Sequence, residues 1–541
     1  MKNLDGILIS EQNKMLEKKD NRKKIFIAVF ALIVFLGAFL RFYNLGKKSF
    51  SADEFLGVGV AYGYLQTGEW RRWDFNWEKP YNDKEYFKTV FDFDFWNDGP
   101  TTYTRAWLYN WQISQALKFL PVNEEWSYRS ISVAWGIASL LLIYLIAYKF
   151  SDKKTIGLLA MALLAVSIDG IEFSRKVRMY AMFMPVFLLF TYLLFQSFEF
   201  SKKRKWRIAN KIKKFLGVDL YYLFGALMIG LLSMHLHLLT ANIGLILFVY
   251  FLIVGLLNFK KQKFSLQNYY WWYFWALFLA SGFFVLIKGN NIFLSGLKWE
   301  DHFSYFQKSF ADYANILPAI ILMVTGAIYL IAKKRNAGIF IATVYLVILF
   351  NAVFLWNRNA GSQYLFFVKP FQIILIAGGI YAVAEFLREN SKKYGSKIFA
   401  GTIIFLFLIT PNFAYFFQQE NTYKQTSHSE NPNYRKVFKY VVKKRNKNDV
   451  LITRNFRNFY WAGQKMKVYS LGGERSSKNK RRLTLSRLQE IMEQNPSGWL
   501  VYSDNDENFI TKEAQSYIKQ HFKKIKSRNI RGSITVWRWG K

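Results

Sequence analysis

Apolar runs of about 18 or more residues recur along this 541-residue chain and are separated by short polar segments. A helix of that length covers the roughly 30 Å hydrocarbon core of a bilayer. The pattern predicts about eleven membrane-spanning helices, over residues 25–43, 129–149, 155–170, 178–197, 219–236, 238–257, 270–288, 313–332, 338–356, 366–386 and 397–417. Two stretches lack such a run, residues 44–128 and 418–541. In the first, "EFLGVGVAYGYLQTGEW" is apolar and Gly-rich, and Tyr103, Trp107 and Trp111 repeat every four residues. That spacing predicts helices lying on the membrane surface. In the second, "DVLITR" and "GWLVYS" suit short buried strands, while "RRLTLSRLQEIMEQ" and "TKEAQSYIKQHFKKI" suit amphipathic helices. The tail is therefore expected to be a small α/β domain.

Charge supports the division. The chain is 52% hydrophobic and 19% aromatic, yet its formal net charge is +38. A soluble domain does not combine these values; apolar spans with basic loops do. Lys18, Lys19, Arg22, Lys23 and Lys24 precede the first span, and alternate loops carry Lys153-Lys154, Lys202-Lys203-Arg204-Lys205, Lys260-Lys261, Lys333-Lys334-Arg335 and Lys392-Lys393. Positive loops belong in the cytoplasm. The alternation requires a helical hairpin over Leu220–Leu257, turning near His235. The expected layout is a cytoplasmic basic segment at 1–24, a transmembrane domain at 25–417 with an external loop at 44–128, and an extracytoplasmic α/β domain at 418–541. The first helix is expected to be a retained anchor, because a long polar stretch precedes it and no small-residue cleavage site follows. With no Cys, disulfides and thiolate metal sites are excluded.

Four groups of residues could carry chemistry. Asp53 and Glu54 directly follow the first span, in "KKSFSADEFLGVG". They suit either helix capping, with Ser51 or Asp53 as the cap of a helix starting at Phe55, or general-base catalysis by a carboxylate between aromatic walls. Arg175, Lys176 and Arg178 break the charge bias in a short external loop; they suit headgroup snorkelling or a phosphate site. His235 and His237 point to opposite faces of a continuous helix, so they share a metal only if the helix breaks. Their milder role is hydrogen bonding to a phosphate or sugar. Arg358 and Lys369 flank the outer end of the tenth span and suit either the basic cluster or snorkelling.

In these motifs the chain resembles the polyprenyl-phosphate-sugar-dependent glycosyltransferases of the GT-C fold. It is most similar to the bacterial relatives of protein O-mannosyltransferases and to the aminoarabinose transferase that modifies lipid A. The resemblance lies in "LRFYNLGKKSFSADE", in "GPTTYTRAWLYNWQISQALKFLPVNEEWSYRSISVAWGIASLLLIYLIA", in "IEFSRKVRMYAMF" and in "SQYLFFVKPFQIILIAGGI", and runs over most of residues 25–415. The family often has Gln-Glu-Ala-Arg where this chain has Arg175-Lys176-Val177-Arg178, and Arg where it has Gln363. The loop from Asp53 to Pro100 is longer than usual.

The resemblance implies an α-helical polytopic membrane protein that moves one sugar, with inversion, from a polyprenyl-phosphate donor to an extracytoplasmic glycan, lipid or protein. Asp53 would be the general base and Glu54 would orient the acceptor or share a hydrogen bond with Asp53. Arg175, Lys176, Arg178, Arg358 and Lys369 would hold the donor phosphate, while Tyr180, His235, His237 and Tyr364 would complete the substrate site. A divalent cation is the one candidate cofactor, and the bilayer is a partner whereas nucleic acid is not. A flippase or transporter, which usually places charges or broken helices near the midplane, and a non-catalytic glycan-binding membrane protein are the alternatives. An oligosaccharyltransferase is disfavoured, because "YYWWYFW" at 269–275 lacks the Asp of a Trp-Trp-Asp-Tyr-Gly motif.

The cysteine-free chain makes the topology simple to test. Ser51→Cys and Ser477→Cys should react with an impermeant maleimide in intact cells, and Lys203→Cys should not. Labelling of Ser477→Cys only after permeabilisation would show the span count to be wrong.

Overall fold

A computed structural model describes residues 2–51, 53–75, 79–80, 106–200, 207–262, 265, 267–288, 302–356, 361–391, 394–418, 421–424, 434–461, 466–471, 482–528, 530 and 533–540. All eleven expected spans fall on helices. Seven helices among the described residues are long and apolar enough to cross a membrane, and bent pairs raise this to nine. Two breaks make the step from seven to nine, and the expected spans outside the nine are the helices Tyr269–Lys288 and Gly395–Ile409. The third span is Lys154–Val166 followed by Ile168–Ser174, bent by 62°. Its break is at Ser167, whose Oγ accepts from the Gly170 amide and so opens the second helix. The fifth, Leu220–Leu236, meets Arg207–Leu216 at 80°, where Gly217 takes a left-handed φ of 72° and Asp219 caps the following helix. The last is shorter than expected, Gly395–Ile409, and is followed by a 3-10 turn at Phe413–Phe417. The helix also breaks at His237, where the charge pattern requires a turn.

The chain forms two compact units. The first comprises Met1–Phe42, Val133–Ser174 and Tyr180–Phe413. Its tightest crossing joins the Ile316–Lys333 and Lys369–Glu389 helices, where a side chain on Gly326 would fall on the Leu375 carbonyl and one on Gly379 on the Leu322 carbonyl. Lipid supplies no hydrophobic drive between helices, so such close backbone contact carries the packing.

Two buried cations in this unit sit where the backbone is broken or begins. Arg41 is buried and donates to the Leu164 and Ala165 carbonyls, 3.1 and 3.2 Å away, at the C-terminal end of the broken helix. A cation there satisfies orphan carbonyls and complements the helix dipole. Lys369, 3% exposed, lies 3.2 Å from Asp169 and 3.1 Å from Asp312 and donates to the Ser309 carbonyl. Asp312 in turn accepts from the Ser167 hydroxyl and the Asp169 amide.

The second unit comprises Tyr43–Ser132, Arg175–Met179 and Ala414–Lys541. The expected α/β architecture is present in its tail. The strands are β3 (Val450–Thr453), β4 (Val468–Ser470), β5 (Gly498–Ser503), β6 (Lys523–Lys524) and β7 (Ile534–Trp539), after a two-residue hairpin of β1 (Trp73–Asp74) and β2 (Lys79–Pro80). The sheet order is β4-β3-β5-β7-β6, parallel for β4-β3-β5 and antiparallel thereafter. Alternation sends Leu451, Trp499 and Val501 to one face with the Tyr434–Lys444 and Phe456–Trp461 helices. Val450, Ile452 and Leu500 go to the other face, with the Leu485–Gln494 and Lys512–His521 helices. Both faces are covered, which is why β3 and β5 read as uninterrupted apolar runs.

Two glycines separate packing from mere flexibility. Gly326→Ala should destabilise the protein by about 1–3 kcal/mol or more through overpacking, lowering its thermal midpoint in detergent. Gly401→Ala, with nothing within 4 Å of the added methyl, should leave the midpoint unchanged or raise it slightly.

Candidate active site at the head of the first surface helix

The loop after the first span folds into a helix at Glu54–Thr67. It starts one residue earlier than expected, and neither Ser51 nor Asp53 caps it with a side chain. Glu54 closes the turn instead: its amide donates to the Ser51 carbonyl and its carboxylate accepts from the Ser51 amide. Two more bonds to that carboxylate come from Arg129, 2.9 and 3.0 Å, and a fourth from the Val177 amide, 3.0 Å. Arg129 is equally saturated. Its five N–H groups serve Glu54 twice and the carbonyls of Leu45, Lys48 and Ser49. Glu54 is 2% exposed. Burial alone would raise its pKa, but the Arg129 charge and the four hydrogen bonds outweigh it and hold the carboxyl below the ordinary 4.5.

This changes the expected role of Glu54. With all lone pairs engaged it has none left for an acceptor, and it makes no hydrogen bond to Asp53. Its task is to join the head of this helix to the Glu125–Ser151 helix and to the basic segment at 175–179.

Asp53 differs in every respect. It sits at the N-cap position with no side-chain cap bond, and its side chain is 73% exposed. Arg178 donates to its backbone carbonyl, 3.1 Å, and brings Nη2 within 3.8 Å of its carboxylate. The basic segment is held against the helix by absence of a side chain at Gly57, where a Cβ would press on Val177. The Lys176 carbonyl is fixed by the Ser132 hydroxyl, 2.6 Å, which bonds Tyr109 in turn. The half-buried Arg178 is thus held beside Asp53, with Lys176 two residues before it on the same fixed backbone.

Arg175 is turned to backbone carbonyls instead. It is buried, donates to the Tyr43 and Asn44 carbonyls, 2.7 and 3.2 Å, and lies 4.8 Å from the Tyr423 ring. Burial pushes its pKa down to about 10. Lys369 is likewise engaged, by Asp169 and Asp312, and is buried rather than snorkelling. Arg358 and Tyr103 lie outside the described residues, as do residues 81–105 of the long loop. In the first unit, three of the expected substrate-binding residues do meet. The buried His237 ring lies 5.5 Å from Tyr180 and 6.5 Å from Tyr364 and stacks on Phe183. Its Nδ1 accepts from the Leu239 amide at the break, and His235 is half-buried. Among the described residues no cluster of three or more His, Asp or Glu side chains is suited to a metal ion.

Arg129, Asp169 and Asp312 were not singled out from the sequence. The available signal was an ionisable residue one turn inside an apolar run or at its end.

Solved structures similar to this chain include two of an archaeal oligosaccharyltransferase and one of a bacterial protein, ArnT. The Archaeoglobus fulgidus oligosaccharyltransferase in its apo form has a TM-score of 0.56 at 10% identity, over 89% of this chain and 70% of that one. The same organism's oligosaccharyltransferase AglB, in complex with an inhibitory peptide and a dolichol-phosphate, gives 0.57 at 9% identity, over 90% and 70%. ArnT from Cupriavidus metallidurans has a TM-score of 0.46 at 10% identity, over 96% and 98%. No family profile and no curated protein matches the sequence. The likeness shows the fold: this is a multi-pass membrane protein with the GT-C fold of glycosyltransferases.

Glu54→Gln places an amide among donors and leaves Arg129 uncompensated. Breaking a buried pair in this way costs about 3–5 kcal/mol, readable as a lower thermal midpoint at pH 7. Because the folded-state pKa of Glu54 is lowered, its contribution is full above the ordinary value and is lost as pH falls through the folded one. The wild-type melting curve should therefore show an acid-side loss that Glu54→Gln lacks, and equal midpoints at pH 7 would contradict the assignment.

Proposed function

We propose that the chain is a glycosyltransferase that moves a single sugar from a polyprenyl-phosphate donor to an extracytoplasmic acceptor, with Asp53 as general base. The observation that carries this reading is the division of labour in the acidic pair: Glu54 is buried and saturated, while Asp53 is exposed beside Arg178.

In the proposed reaction Asp53 takes the proton of the acceptor hydroxyl or amine as its oxygen or nitrogen attacks the anomeric carbon. The bond from that carbon to the phosphate oxygen breaks with its electron pair. Polyprenyl phosphate departs as a weak base and needs no general acid. Arg178, with Lys176 beside it, supplies the positive charge that stabilises the leaving phosphate. One displacement inverts the anomeric configuration. Glu54 and Arg129 touch no reacting atom; they fix the backbone that carries the base.

The fold supports the donor class, since an oligosaccharyltransferase of this fold has been solved with a dolichol-phosphate. The missing Asp in "YYWWYFW" favours a simpler transfer than that enzyme's. The broken span at Ser167 and the buried Asp169–Lys369–Asp312 group are the features a transporter would also show.

Asp53→Asn keeps size and removes the base. With purified protein, a polyprenyl-phosphate sugar and an extract of candidate acceptors, mass spectrometry should show transfer falling about 10²- to 10⁴-fold, with the thermal midpoint unchanged. Wild-type turnover in this variant would remove Asp53 from the mechanism. Lipid movement without a new glycosidic bond would favour the transporter.

Arg178 gives a second test. Arg178→Ala should weaken donor binding by about 1.5–3 kcal/mol, and Arg178→Lys, which keeps charge but loses the fork, by less. Equal donor affinity in wild type and Arg178→Ala would rule out a phosphate role.

A further inference from the structure

We infer that the α/β tail is a positioning device for the base: Asn458, on the Phe456–Trp461 helix, fixes the turn that presents Asp53. The inference rests on the proposed role of Asp53 only where it concerns rate.

Asn458 Nδ2 donates to the backbone carbonyl of Phe50, 3.1 Å away. Asn458 is 4% exposed and Phe50 is fully buried. Phe50 stands three residues before Asp53, and its ring is fixed on several sides. Trp461 lies 5.1 Å away, Phe55 5.4 Å, Tyr128 5.7 Å and the Arg129 guanidinium 5.1 Å. Trp461 also meets Tyr128 and Phe75, each at 5.1 Å edge to face.

Two further tethers come from the same tail. Lys48 donates to the Asn421 carbonyl, 2.7 Å. Arg435 pairs with Glu124 and Glu125, at 3.3 and 3.2 Å, at the head of the helix that carries Arg129. The tail therefore grips the turn before the base and the support of that turn.

Simple adhesion would need only the apolar rings. A directional bond to one backbone carbonyl sets orientation, because a buried carbonyl left unpaired is unfavourable in any other register. The short helix that supplies it follows β3, a fully buried central strand. A rigid element is what a catalytic group requires behind it.

The test uses the full chain. Asn458→Leu keeps volume and removes the donor. Thr484→Ala removes an N-cap on the exposed edge of the same tail, and serves as a control of comparable destabilisation. Hydrogen exchange at amides 49–55 should quicken about tenfold in Asn458→Leu and stay unchanged in Thr484→Ala. At a temperature well below both midpoints, Asn458→Leu should lose kcat about tenfold while its donor KM changes little, and Thr484→Ala should keep both.

Unaltered exchange at 49–55 in folded Asn458→Leu overturns the inference, whatever the chemistry. Faster exchange with wild-type kcat, while Asp53→Asn is inactive, overturns the positioning role. If Asp53→Asn is itself active, the base assignment fails and exchange alone decides the tether. Should Asn458→Leu not fold, Lys48→Met cuts the second tether at a half-buried site. It too should quicken those amides, and unaltered exchange there overturns the inference.

Discussion

A guanidinium and a carboxylate removed from water each lose several kcal/mol of hydration, which their mutual attraction restores only when every remaining donor and lone pair is also satisfied. Glu54 and Arg129 meet that condition. Their seven hydrogen bonds reach the chain leaving the first span, the head of the Glu54–Thr67 helix, the segment around Val177 and the Glu125–Ser151 helix. Four segments that meet at one buried charge pair cannot shift independently. The position of Asp53 follows from this, since it is the exposed residue next to the fixed one.

The membrane unit handles buried charge by other means. Arg41 has helix carbonyls for its partners, a solution available because the third span ends at Ser167. Lys369 stands at the first residue of its helix and carries two carboxylates. In both cases the charge sits where regular hydrogen bonding stops, so broken backbone and buried ion satisfy each other.

The legible part of the sequence was the part governed by period and length. Apolar runs marked the helices, and β3, β5 and the Leu485–Gln494 and Lys512–His521 helices fell where the pattern predicted them. The alternating "ITVWRW" of β7 was equally readable but passed over, and β4 and β6 are too short to give a period. At the site, two adjacent carboxylates announced themselves. Adjacency cannot reveal which of them turns inward, because the partner that decides it, Arg129, is 75 residues away. The same limit explains Arg175 and Lys369. A basic side chain in a loop looks the same in sequence whether it holds a phosphate, two backbone carbonyls or two carboxylates.

Residues 421–461 also bear on the order of events in the life of the chain. The bond from Asn458 to Phe50 spans 408 positions, and that from Lys48 to Asn421 spans 373. A ribosome working at about 5–20 residues per second needs some tens of seconds to travel that far. Throughout that interval the turn bearing Asp53 has been made while the residues that brace it have not. A nascent chain stopped anywhere before the tail would carry Asp53 without the bonds that Asn458 and Asn421 make to the turn before it.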